Sequence, residues 1–138
     1  MNVQPTPTLY ERLGGHDGIL RLLHTFYTDA RQHAVLGPVF NTHIQDWPAH
    51  FEKITEFWAR QTGGPSRYGG GFGAAHLSLG LGAEHFRHWL GLWDYNCQRH
   101  LAPTEARELS ALAHEFGERL KFIVAGQGGL HLGSGGRK

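Results

Sequence analysis

Apolar residues recur at intervals of three and four along most of the chain and never alternate with polar ones over a useful length, a pattern that predicts an all-α domain without strands. Ile19, Leu22, Leu23, Phe26 and Ala30 mark the buried face of one helix, with Tyr27 on its shoulder. A second stripe of Trp47, His50, Phe51, Ile54 and Trp58 predicts a helix from about Trp47 to Arg60. Asp46 is placed as its cap and Pro48 lies in the first turn, where a missing N–H costs little. Phe86, Trp89, Leu90, Trp93 and Cys97 give a third, over Ala83 to Leu101. Pro103 opens the last, whose inner face is Leu109, Leu112, Ala113, Phe116, Leu120 and Ile123.

Breakers divide these stripes. Residues 1–8, with Pro5 and Pro7, read as an extended lead-in. Thr8 is placed to cap a short helix, Leu9 to Leu13, which Gly14-Gly15 ends before Asp17 caps the next. Gly37-Pro38 reads as a break, with Val39 and Phe40 as an apolar pair within a connection. The stretch Gly63–Gly73 holds six glycines and predicts a long irregular connection, delivering the chain to Ala74-Ala75-His76-Leu77. From Gly126 the run GQGGLHLGSGGRK predicts a disordered tail. The expected organisation is therefore a lead-in (1–8), one helical domain (9–125) and a tail (126–138).

Composition narrows the possible partners. A formal charge of +1, with 13 Lys and Arg scattered along the chain, gives no basic stripe for nucleic acid or for an anionic membrane. The single cysteine, Cys97, excludes an intrachain disulfide and a CxxC zinc site. The first residues have neither a basic start nor an apolar stretch, and no apolar run approaches membrane-spanning length, so a cytoplasmic protein is expected. Eleven histidines invite a metal reading, which position has to decide.

Phosphate-loop, GxSxG and HExxH motifs are absent. His85 and His88 are spaced to share a helix face, read here as a solvated polar face rather than a metal site. What remains is an apolar, aromatic constellation with few polar members: Tyr27, Trp89 and histidines near helix ends. Haem asks for such a slot, with one neutral imidazole on iron and one or two hydrogen-bond donors opposite. On the residues alone, His76 reads equally as that ligand or as a surface histidine at a loop–helix junction. Tyr27 and Trp89 read as ordinary core aromatics, whose burial packing alone explains.

Several short runs, in order, resemble the truncated haemoglobins: LYERLGG from Leu9, FY at Phe26-Tyr27, LGPVFN from Leu36 to Asn41, HFEKITEFW from His50 to Trp58, GGPSRY from Gly63, AAHL around His76 and HFRHWLGLW from His85 to Trp93. The match covers about Leu9 to Val124. LGPVFN and the His50–Trp58 run are similar to the third (P-type) group, GGPSRY to the second (O-type), and Gly69–Gly71 departs from both. The resemblance implies a 2-on-2 helical sandwich around haem b, with His76 as the proximal iron ligand and Phe40 wedged against the haem. It places Tyr27, His50, Ile54 and Trp89 on the distal side and Lys53 beside a propionate. The activity implied is reversible binding of O2, or of another diatomic ligand such as NO or CO. One alternative is peroxide or NO detoxification on the same haem, with His50 as acid–base group and an external reductase. Another, of a different class, is a haem-free helical interaction or sensor module.

Overall fold

In the computed structural model, residues 6–70 and 81–135 are described, with side chains to residue 122, and every regular element among them is an α-helix. The short helix α1, Leu9–Arg12, begins with a capping box. Glu11 N donates to the Thr8 hydroxyl at 3.1 Å, and Thr8 N donates to the Glu11 carboxylate at 2.9 Å. Gly14, at φ 96°, turns the chain in the left-handed region open to glycine and is itself the N-cap of α2, Gly15–Gln32. Asp17, expected as that cap, lies instead in the first turn, where its charge still complements the helix dipole.

The Gly37-Pro38 stretch is not a break. Helix α3 runs Leu36–His43 and holds Pro38 in its first turn, where the absent N–H has no intrahelical partner to lose. His33 supplies the acceptor for that end: its Nδ1 receives the Val35 and Leu36 N–H groups at 3.1 and 3.3 Å. Helix α4, Trp47–Gln61, starts as the sequence predicts, with Asp46 Oδ1 accepting from Ala49 N at 3.0 Å and Pro48 in the first turn. Helix α5 spans Ala83–His100 and α6 spans Pro103–Gly135. The α6 backbone thus continues past Gly126. Each glycine costs a helix roughly 1 kcal/mol relative to alanine, a gradual weakening of an established helix rather than a stop.

Two helix pairs make the domain: α2 packs on α4 and α5 packs on α6, with α2 also meeting α3 and α5. Trp93, only 1% exposed, sits where the pairs cross. Its indole stacks on Trp58 of α4 (centroids 4.9 Å apart) and on Trp89 (5.4 Å), while Phe26 of α2 meets it edge-on at 5.2 Å. Burying one such aromatic contributes roughly 1.5–3 kcal/mol, and the edge-on geometry suits the ring quadrupoles. Cys97 is fully buried one turn along the same face. No helix among the described residues is long and apolar enough to cross a membrane.

The α4 stripe is only partly core. Thr55, Phe57, Trp58 and Ala59 are buried, but Trp47, His50, Phe51 and Ile54 are half-buried. Trp47, expected in the core, carries the Arg31 guanidinium over its outer face at 4.3 Å. His50 and Ile54 open onto a cavity, whereas Trp47 and Phe51 border a separate surface groove.

Candidate functional site

A cavity of about 230 Å³ lies between α2, α3, α4, α5 and α6. It brings together Tyr27, Phe40, His50, Lys53, Ile54 and Trp89. Four helices place them: Tyr27 leaves α2 beside Phe26, Phe40 comes from α3, and His50 lies one turn before Lys53 and Ile54 on α4. Trp89 is one turn before Trp93 on α5, so the stack at the core holds its indole plane. His76 falls outside the described residues.

Tyr27 is 5% exposed and hemmed by rings. His50 meets it at 5.1 Å between centroids, Phe40 at 5.4 Å, and Trp47 and Phe51 each at 5.5 Å, all steeply inclined. Burial pushes the phenol well above its ordinary ionisation range, so it keeps its proton across physiological pH. No hydrogen bond joins its hydroxyl to another described residue, and the same holds for the Trp89 N–H. Two donors thus border an apolar space without a described acceptor. Phe26 links them, edge-on to both rings, at 5.0 Å from Tyr27 and 5.6 Å from Trp89.

The rest of the lining is mostly apolar, with Leu36, Val39 and Ile44 from the α3 region and Phe116 and Leu120 from α6. Its polar members are few. Lys53 is exposed, so its ammonium stands at the rim. His85, expected on a solvated face, is half-buried and lines the cavity, because its Nδ1 accepts from Gly82 N at 2.9 Å and draws the ring back over the start of α5. His88 packs against His33 instead, centroids 4.9 Å apart. Among the described residues no three His, Cys, Asp or Glu side chains converge to hold a metal ion.

Sequence reasoning did not single out Phe57, Trp58 or Tyr68 as cavity residues. Phe57 lies one position off the expected stripe, and its ring meets Tyr68 edge-on at 5.2 Å. Tyr68 arrives from an irregular segment, where periodicity carries no signal.

The cavity fits a flat, largely apolar prosthetic group. It has aromatic walls, donors on one side and a cation at the rim for a carboxylate, the donor set that haem needs beyond its iron ligand.

The sequence matches the family described as bacterial-like globin over residues 8–118. It is 35% identical over 83 residues to the group 3 truncated hemoglobin of Campylobacter jejuni, a stretch covering 56% of this chain and 65% of that protein. The fold superimposes on the crystal structure of group III truncated hemoglobin from Campylobacter jejuni with a TM-score of 0.74 at 25% identity, covering 90% of this chain and 95% of that one. It also superimposes on the group II truncated hemoglobin from Bacillus anthracis with a TM-score of 0.75 at 20% identity, covering 85% and 92%. Group III and group II truncated hemoglobins are thus both among its structural neighbours.

Proposed function

Since the chain belongs to the bacterial-like globin family, we propose that it holds haem b in the cavity of α2–α6 and reversibly binds a diatomic ligand there, O2 foremost. The convergence of Tyr27, Phe40, His50, Lys53, Ile54 and Trp89 on one apolar space carries this reading. His76 is assigned the proximal ligand position on its motif, AAHL following the glycine-rich stretch. The haem unit is assigned to residues 9–125, close to the family match.

Haem supplies, when bound, an iron with a coordination position open to a small ligand. The chain's own residues set what that ligand meets. Tyr27 offers a hydroxyl donor on a ring held by four surrounding rings. Trp89 offers an indole N–H, a donor with no acceptor capacity. In a dry pocket each such donor strengthens binding of a ligand that has taken on negative charge. Ile54 and Phe40 exclude water, and Lys53 provides the charge to pair a propionate at the rim.

Titration with haemin tests the reading. The expected result is one-to-one uptake with a Soret band, and a CO adduct after reduction. A preparation that takes up no haemin would refute it and favour the haem-free interaction module.

A further inference from the structure

One cluster outside the cavity's donor set links α1, α2 and the Ser66–Tyr68 segment to Glu56 of α4. Glu56 on α4 is 14% exposed at its side chain. Its Oε1 accepts the backbone N–H of Arg67 at 2.7 Å, and its Oε2 accepts from His16 Nε2 at 3.0 Å. The Glu56 backbone carbonyl takes the Ser66 hydroxyl at 2.6 Å, and Ser66 Oγ in turn accepts from Tyr68 N at 3.0 Å. On the far side, Tyr10 of α1 donates its hydroxyl to His16 Nδ1 at 2.5 Å. With the ring proton on Nε2 the donors run one way, from phenol to imidazole to carboxylate.

The consequence lies in what Ser66–Tyr68 carries. Tyr68 is a wall of the cavity, its ring set against Phe57. The segment has no regular structure of its own; these bonds tie it to α4, as does a longer one from Arg60 to the Tyr68 carbonyl, at 3.4 Å.

We propose that Glu56 is a positioning residue that clamps the Ser66–Tyr68 wall of the cavity, so that haem retention, on the haem-binding reading above, depends on a carboxylate that does not line the cavity. The groups facing Glu56 are His16 and, behind it, Tyr10, from α2 and α1; Arg67, whose guanidinium stands 4.0 Å from Oε2; and Glu52 and Arg60 one turn away on α4. Asp17 borders the same groove. The Arg67 N–H, and after it His16, hold the Glu56 carboxyl below its ordinary range. A carboxyl with a depressed folded-state pKa contributes stability that is present above the unfolded value of about 4.3 and is lost as pH falls through the folded one. The clamp therefore opens on the acid side.

The test uses the full chain, with and without haem. Amide hydrogen exchange at Arg67 and Tyr68 reads the clamp, and transfer of haem to a scavenging apoglobin reads retention. In Glu56→Ala, Arg67 protection and haem retention are both expected to drop by about tenfold or more at neutral pH, the scale of a lost charge-assisted bond. Glu56→Gln, which keeps an acceptor but cannot ionise, is expected to restore both at neutral pH and to hold Arg67 protection through the acid range where the wild type loses it. If alanine at 56 prevents folding, the glutamine variant and His16→Gln decide alone. Unchanged Arg67 protection in Glu56→Ala, an acid loss in Glu56→Gln parallel to wild type, or lost protection with unaltered haem transfer would each overturn the proposal. A chain that binds no haem at all defeats the functional reading instead. The exchange data on the haem-free protein keep the two failures apart.

Discussion

His50 of α4 and Tyr27 of α2 stand edge to face, their planes at 87° and their centroids 5.1 Å apart, so two helices share one wall of the cavity through a polar–aromatic contact. The contact helps hold the ring of a deeply buried phenol by packing rather than through its hydroxyl. Deleting the hydroxyl alone therefore leaves the ring packing almost unchanged.

Tyr27→Phe is accordingly expected to fold with little loss of stability while raising the O2 dissociation rate. The lost donor to a partly charged ligand is worth roughly 1.5–3 kcal/mol, or about tenfold and upward in rate. Stopped-flow displacement of O2 by CO checks this. A rate equal to wild type would remove Tyr27 from the distal role.

Trp89→Phe deletes the second donor and keeps a ring against Phe26 and Trp93. Its O2 dissociation rate is expected to rise about tenfold by the same argument. The double variant with Tyr27→Phe should exceed either single one, since the donors sit on different helices and do not contact each other directly. A double variant no faster than the singles would mean that only one of them reaches the ligand.

The helices were legible because their signals are local. Asp46 and Pro48 mark the start of α4, Thr8 and Glu11 cap α1, and the spacing from Phe26 to Trp93 to Leu109 follows the packed faces. Helix α3 was not legible, because Gly37-Pro38 reads as a break unless one knows that His33, three residues upstream, caps the new helix. The half-buried state of His50 and Ile54 is equally invisible to periodicity, which separates inside from outside but not core from cavity. His85 shows the same limit: its place follows from one bond to the Gly82 N–H. Tyr68 and the Glu56 clamp depend on contacts between distant segments, for which a single sequence carries no signal.

Gly64 is one position where such a contact constrains the residue type. A Cβ there would stand 2.3 Å from the Tyr10 ring, so Gly64→Ala must displace a side chain that also donates to His16. A destabilisation of about 1–3 kcal/mol is expected by overpacking, measured by urea denaturation. A variant as stable as wild type would show that Tyr10 yields freely.

Cys97 predicts the alkaline behaviour. Burial pushes its thiol up to about 12, whereas an unfolded thiol ionises at about 8.5. A group with a raised folded-state pKa contributes fully below the unfolded value, and that contribution falls as pH rises above it. Native protein is expected to resist a thiol reagent such as iodoacetamide at pH 8, react promptly in denaturant, and lose stability as pH climbs past 9. Fast labelling of the native protein would place the thiol nearer the surface.

The central claim is that His76 carries the iron, and the ultraviolet–visible spectrum of the reduced protein, before and after CO, compared with that of His76→Gly, tests it most directly. The account predicts a stable Soret band and a sharp CO adduct in the wild-type protein. In the variant, haem should be lost or held only weakly, with normal binding recovered when imidazole is added. A His76→Gly protein with an unaltered Soret band, no response to imidazole and normal CO binding would contradict it.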